Sequence, residues 1–250
     1  MSNRSKLVEL DFVDRYLAST VHTIDLENPG VDGRYADIQK HPKIKVEADW
    51  AHNTHFVMLN ESSEFARLTE IRLCDVDAES LVLKPDRFWI QYFADKTWGK
   101  ACDYLVLTVH NKVKYAIFID LKTKIAEQPK SENYEELTYA SDFNKGIVWQ
   151  MIGADAFLDG MVDVLLKRTL KACADTPANK RRAAAHELAK YRRRYLVLYR
   201  SVDTQLQSIH STKVPLAPNV YSLEKPIRTY RVSNSSNISL GALFTNVLDV

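Results

Sequence analysis

Two apolar runs in the middle of the chain carry its clearest pattern. Residues 103–109 (Asp-Tyr-Leu-Val-Leu-Thr-Val) and 115–121 (Tyr-Ala-Ile-Phe-Ile-Asp-Leu) are rich in β-branched and aromatic side chains. Only the short polar stretch from Asn111 to Lys114 separates the two runs. That spacing predicts an antiparallel hairpin. The second run has Ala116, Ile117, Phe118 and Ile119 in succession, with no clean alternation. A strand covered on both faces reads this way, whereas a strand with one wet face alternates.

The flanking patterns extend this picture. Residues 6–19 place Leu7, Leu10, Phe12, Val13 and Leu17 at helical spacing, which predicts a first amphipathic helix. Residues 28–41, with Pro29, Gly30 and Gly33, read as a loop. Between residues 56 and 82 two readings stand. A short helix could open at Glu61 to Glu64 with Ser62 or Ser63 as cap, or a strand could begin over 68–73. The aromatic stretch 87–93 predicts another strand, and 94–100 a turn.

Beyond the hairpin, 124–141 is polar and reads as a loop. Asp142 is placed to cap a helix over 143 to about 171, with Ile147, Met151, Ala154 and Leu158 on its apolar face. Thr176 as N-cap and Pro177 in the first turn open a second helix, expected to run through Lys180 to about Arg193. Strands are expected at 195–199 and 227–233, with a polar turn over 234–237. The expected organisation is an N-terminal helix and loop region over 1–60, a core over 61–170, and a basic extension over 171–250 packed on that core.

Composition bounds what such a chain can be. Its 250 residues, 46% hydrophobic, suffice for one large domain or a core with an added lobe. Seven glycines and eight prolines argue against long disordered stretches. The three cysteines, Cys74, Cys102 and Cys173, fit neither a disulfide framework nor a zinc site, as expected of a reducing compartment. The first ten residues form no apolar signal region, and no apolar run approaches the roughly 20 residues of a membrane span. A cytoplasmic location is expected.

Charge is uneven. Between Lys167 and Arg200 eleven cations face only Asp175 and Glu187, a local charge of +9 that leaves −7 on the rest of a chain whose total is +2. Lys180, Arg181, Arg182, Arg192, Arg193 and Arg194 are the candidates for a phosphate-contacting surface. A solvated helix face is the plainer explanation of such a run.

The predicted hairpin also gathers chemistry. Asp103 begins one strand; Asp120 and Lys122 lie near the end of the other. In an antiparallel pair those ends are neighbours, and residues two apart share a face. Leu121 points away into the core, leaving its carbonyl available to a metal. An acid directly after a run as apolar as 116–119 is an expensive placement unless it is paired or binds a cation. Two carboxylates and an ammonium are what metal-assisted phosphodiester hydrolysis requires: the acids hold a hard divalent ion, and the cation sits by the attacking water.

Cys102-Asp103-Tyr104-Leu105-Val106, followed by Phe118-Ile119-Asp120-Leu121-Lys122, resembles the Asp…(Asp/Glu)-x-Lys signature of the PD-(D/E)XK nuclease superfamily. The resemblance covers roughly residues 61–166. It implies an α/β, restriction-endonuclease-like core: a central mixed β-sheet flanked by helices, here with a basic C-terminal helix and strand extension. It implies that Asp103 and Asp120 bind Mg2+, or Mn2+ in its place, and that Lys122 orients or activates the water. A Gln on the helix after the Lys-bearing strand matches Gln150. A Glu from an upstream helix matches Glu64, with Glu61, Glu70 and Glu9 as rivals. Two positions depart from the commonest pattern: Cys102 stands in place of Pro, and Asp120 in place of Glu.

The family implies a DNA endonuclease, with bacterial defence or restriction as its setting. A homodimer, or a partner subunit of a larger system, would serve to cut two strands. Two alternatives stay open: a catalytically inactive module of the same fold that binds nucleic acid or protein, and a nuclease acting on RNA or branched DNA. Other groups carry less. His52 and His55 near Asp49 lack a third ligand, and Ser62 and Ser63 lie in no nucleophile elbow. Phe88, Trp89, Tyr92 and Phe93 read as core before they read as base-stacking platforms. Trp98 reads equally as a loop anchor or a substrate contact.

Overall fold

The long apolar run at 113–126 becomes the middle of a six-stranded sheet. The computed structural model describes residues 43–61, 68–85, 101–126, 142–167, 178–203, 223–233 and 235–249. The expected helix at 6–19, the loop at 28–41, the strand at 87–93, Glu64 and the aromatics from Phe88 to Trp98 lie outside these residues.

The predicted hairpin is present as β6 (Tyr104–His110) and β7 (Val113–Ala126), antiparallel in register from Tyr104↔Ile119 to His110↔Val113. Asn111 and Lys112 form its two-residue turn, both at positive φ (48° and 66°). That is the backbone of a type I′ turn, whose twist matches that of the flanking strands. β5 (Leu81–Leu83) extends the meander beyond β6, and β1 (Lys43–Ile44) pairs outside it.

On its other side β7 pairs in parallel with β8 (Arg192–Asp203), and β8 pairs in parallel with β9 (Ile227–Arg231). A parallel neighbour cannot be reached by a tight turn and needs a crossover. Helices α1 (Asp142–Lys167) and α2 (Ala178–Ala189) lie on that crossover between β7 and β8. The architecture is therefore α/β, with a mixed sheet of order β1-β5-β6-β7-β8-β9.

Each face of this sheet has its own core, and the alternation of side chains explains the division. Leu105, Leu107, Ala116, Phe118, Tyr195 and Val197 face α1 and α2, against Ile147, Met151, Ala154 and Leu188. Tyr104, Val106, Ile117, Ile119, Leu196 and Leu198 face a second sheet. That sheet has order β10-β4-β3-β2, from β2 (Glu47–Asp49), β3 (Thr54–Glu61), β4 (Leu68–Cys74) and β10 (Ser235–Ser239). It buries alternate residues, Val57, Leu59, Ile71 and Leu73, as expected of a sheet with one covered face. The Tyr104 hydroxyl bonds both the N–H and the carbonyl of Asn60 at 2.7 Å, tying the two sheets together. After β10 the chain forms a short α3 (Leu240–Leu243) and a π-helical turn (Phe244–Leu248), which insert Leu240, Leu243, Phe244 and Leu248 into the second core.

Several expectations are corrected. α2 ends at Ala189, and Arg192, Arg193 and Arg194 start β8 instead of closing a helix. Arginine is a good helix former, but pairing with β7 from Tyr115↔Arg192 onward overrides that local preference. β7 runs on to Ala126, where a loop was expected from 124. Ser235 to Ser239, read as mostly turn, form an edge strand parallel to β4 in which Ile238 is the buried anchor. The expected strand at 68–73 is present as β4, while residues 62–67, where the alternative helix would lie, are outside the described residues. Pairing crosses both expected segment boundaries: β3 from the first segment pairs with β4 from the second, and β8 from the third sits beside β7 inside the main sheet.

Candidate metal centre

Asp103, Asp120 and Lys122 meet where β6 begins, beside the middle of the longer β7, so Asp120 lies inside its strand and not near the expected end. Asp103 lies one step beyond the Tyr104↔Ile119 pair, which sets it opposite Asp120. Directly opposed residues hold their Cβ atoms about 4.5–5.5 Å apart. The Asp103 Oδ2 accepts the Leu121 N–H at 2.7 Å, an independent sign that its carboxylate reaches this stretch of β7. Both acids are buried, Asp120 completely, and both lie on the side of the sheet that α1 covers.

Lys122, two residues on, brings its Nζ to 2.7 Å from the Asp120 Oδ2; the lysine side chain is 19% exposed and the aspartate 0%. The ammonium is close enough for an ion pair but is not aligned to donate. Neither buried oxygen of Asp120 receives a hydrogen bond. An ionised carboxylate offers about four lone-pair sites, and burying one with a single cationic neighbour is costly. A divalent ion bound by one or two carboxylates plus waters would satisfy those sites, so the residues present fit Mg2+. Among the described residues, no group of three or more His, Cys, Asp and Glu gathers for a metal. Among the described residues, the carboxylates at this place are those of Asp103 and Asp120.

The Leu121 side chain packs into the core against the second sheet, as its position between the two site residues predicts. Gln150 is half-buried on α1. Its place along the helix follows from a clamp further on. Asp155 and Asp159 of α1 both bond Arg193 at the start of β8, and the Tyr195 hydroxyl donates to Asp155 at 2.7 Å. Moving toward the C-terminus of α1 thus moves toward the start of β8. Gln150 lies upstream of Asp155 on the same helix. Glu64 is outside the described residues.

The clamp has its own electrostatics. Burial pushes the Asp155 carboxyl up, against the bonds from Tyr195 and Arg193 that pull it down. Burial likewise raises the Tyr195 hydroxyl, with the Asp155 charge adding to the effect. For Arg193 burial works the other way, and the Asp159 and Asp155 carboxylates outweigh it to hold the guanidinium charged.

The six cations expected to contact phosphate are not gathered on one surface. Lys180, Arg181 and Arg182 are on α2, with Arg182 exposed, and Arg192 is exposed on β8. Arg193 is held by Asp155 and Asp159 under α1. Arg194 points to the opposite face, where its Nε and a terminal N–H both reach the Asp249 Oδ1 at 3.1 and 2.7 Å. An unbroken Arg-Arg-Arg run looks uniform in sequence, but on a strand its alternate members part to opposite faces. Near β2, Asp49 accepts from Arg72 at 2.8 Å and bonds His52 Nδ1 at 3.0 Å. Comparison with known families, curated proteins and solved structures finds no match for this chain.

Proposed function

We propose that this chain is a metal-dependent phosphodiesterase of the PD-(D/E)XK type that cuts nucleic acid, with DNA as the preferred substrate. The observation that carries the reading is the Asp120 carboxylate. It is wholly buried, lacks hydrogen bonds, lies opposite Asp103 and sits 2.7 Å from a lysine ammonium. Support also comes from the sheet itself, a mixed sheet with a helix following the strand that bears the lysine. We take it as a restriction-endonuclease-like core.

In this reading Asp103 and Asp120 hold Mg2+ or Mn2+, which when bound supplies a Lewis acid for the phosphate and lowers the pKa of water. The Asp103–Leu121 hydrogen bond fixes one carboxylate against β7, so its position does not depend on a flexible loop. The Lys122 ammonium, beside Asp120, orients the attacking water and offsets charge developing on the phosphate. Gln150 of α1 is taken as a positioning group. DNA is preferred over RNA by family analogy alone.

The test is cleavage of single-stranded, duplex and branched DNA and of RNA by the full chain with Mg2+ or Mn2+. Wild type should cut, EDTA should abolish cutting, and Lys122→Ala and Asp120→Asn should each lower the rate at least about 100-fold. Wild type that is inert on all four substrates yet binds DNA would replace this reading with that of a non-catalytic binding module.

A further inference from the structure

Lys84 directly follows β5 and is only 9% exposed. Continuing the register of Leu83↔Leu105 by one step sets it opposite Tyr104, the residue after Asp103. Alternation along β5 sends its side chain to the side of Val82, between the two sheets. Its contacts agree. The ammonium lies 4.7 Å from the centre of the Tyr104 ring and 3.5 Å from the Asn60 carbonyl. Both contacts are weak. That carbonyl already accepts the Tyr104 hydroxyl at 2.7 Å, and 3.5 Å lies beyond the usual range of an N–H···O bond.

An ammonium carries three donors and no acceptor, and a buried charge is costly unless it is paired and hydrogen-bonded. The other buried charges among the described residues each meet a donor or a counter-charge. Asp103 accepts the Leu121 N–H, Asp120 faces Lys122, Asp155 accepts from Tyr195 and Arg193, and Arg194 is bound to Asp249. Lys84 forms no ion pair among the described residues; its contacts are a shared carbonyl and a ring face. What would complete it is an anion.

The place suits a substrate strand. β5 ends at Leu83 and β6 begins at Tyr104, level with each other, while β7 and β8 run on to Ala126 and Asp203. Among the described residues no strand carries β5 or β6 past this level. A chain lying across the step can therefore meet both faces of the main sheet, Asp103 and Asp120 on one and Lys84 on the other. With strands about 4.8 Å apart and consecutive Cα atoms about 3.8 Å apart, the backbones of Lys84 and Asp103 are within about 10 Å. Phosphates follow one another at a rise of about 3.4 Å along a strand. A phosphate near the one held at the two aspartates falls within that reach.

We propose that Lys84 binds a phosphate of the substrate strand close to the one that is cut, and so holds the strand across the step where β5 and β6 stop. That the anion is a nucleic-acid phosphate rests on the activity proposed for Asp103 and Asp120. Lys84 binds substrate and takes no part in breaking the bond.

The experiment compares the full chain with its Lys84→Met variant, which keeps the length of the side chain and removes the charge. Labelled single-stranded and duplex DNA and RNA are titrated in EDTA, and with Mg2+ in a Lys122→Ala background, over a range of salt concentrations. Thermal melts in EDTA accompany them. Lys84→Met should melt no lower than the parent chain, because it loses a poorly matched buried charge. Its affinity should fall at least about fivefold, and the slope of log affinity against log salt should become shallower by about 0.7 to 0.9, the release of one counterion fewer. A lysine that only supports the fold would not move that slope. The contact is refuted if affinity and slope are unchanged, if affinity falls only together with a lower melting temperature, or if no oligonucleotide binds in either condition. Wild type that cuts nucleic acid while Lys84→Met binds as it does would remove this contact and leave the activity standing. A shallower slope in a chain that never cuts would keep the contact and remove the activity.

Discussion

A carboxylate such as that of Asp120 is in tension with the fold that holds it. The side chain is fully buried, and its oxygens have an ammonium nearby but no hydrogen bond. Replacing it with Asn removes the buried charge, while the partly exposed Lys122 can still be solvated. Asp120→Asn should therefore leave the metal-free protein more stable by about 1 kcal/mol. If Asp103 and Asp120 hold Mg2+ as proposed, the ion should raise the Tm of wild type by binding the folded state, and should leave that of the variant unchanged. Thermal melts with and without Mg2+ check both points. A variant less stable than wild type in EDTA would mean that the ion pair with Lys122 outweighs the burial cost. That Asp120 is a candidate was legible in the sequence, because an acid after a run of four apolar residues has few inexpensive explanations. The geometry of the site residues was legible as well, because antiparallel pairing leaves little freedom in how strand ends meet. The fates of Arg193 and Arg194 were not legible. They depend on Asp155, Asp159 and Asp249, which lie 34 to 55 residues away along the chain.

At the level of elements, what could be read tracks how locally each one is determined. The β6–β7 hairpin has strong strand formers and a two-residue turn, so both its existence and its register follow from neighbours in sequence. β10 offers only Ile238 as a buried anchor and exists through its parallel partner β4, far upstream. The start of β8 was hidden by three residues of high helix propensity. The packing of α1 onto β8 rests on the group of Asp155, Asp159, Arg193 and Tyr195, and there the balance of burial against pairing can be measured. Burial holds the Asp155 carboxyl above its ordinary value of 3.8. Between the unfolded and folded pKa values the native state then binds more protons than the unfolded state. The associated stability is complete below the unfolded pKa and is lost as pH rises through the folded one. The stability of wild type relative to Asp155→Asn should consequently decrease as pH rises from about 3 to about 7, with urea unfolding as the measurement. A relative stability that grows with pH would show instead that the bonds from Arg193 and Tyr195 prevail over burial.

For the whole molecule the question is whether the last third is an appendage or a structural part. Read from sequence, residues 171–250 form a basic extension added to a finished core. In the fold they supply β8 and β9 of the main sheet, β10 of the second, and the turn that carries Phe244 and Leu248 into the core between the sheets. β8 pairs with β7 from Tyr115↔Arg192 to Ala126↔Asp203, along the whole stretch that bears Asp120 and Lys122. A chain ending at residue 177 would leave that edge of β7 with unpaired backbone groups in an apolar setting. It would also strip Tyr195 and Val197 from one core and Leu196 and Leu198 from the other. Sheets that lose a central neighbour and more than a third of each core do not retain cooperative folding. Such a truncated chain should therefore show no cooperative thermal or urea transition, weak near-UV circular dichroism, and no metal-dependent rise in Tm. A cooperative transition with an intact response to Mg2+ would mean that residues 43–167 hold the metal centre without help, and that the sheet is nucleated by the β6–β7 hairpin alone.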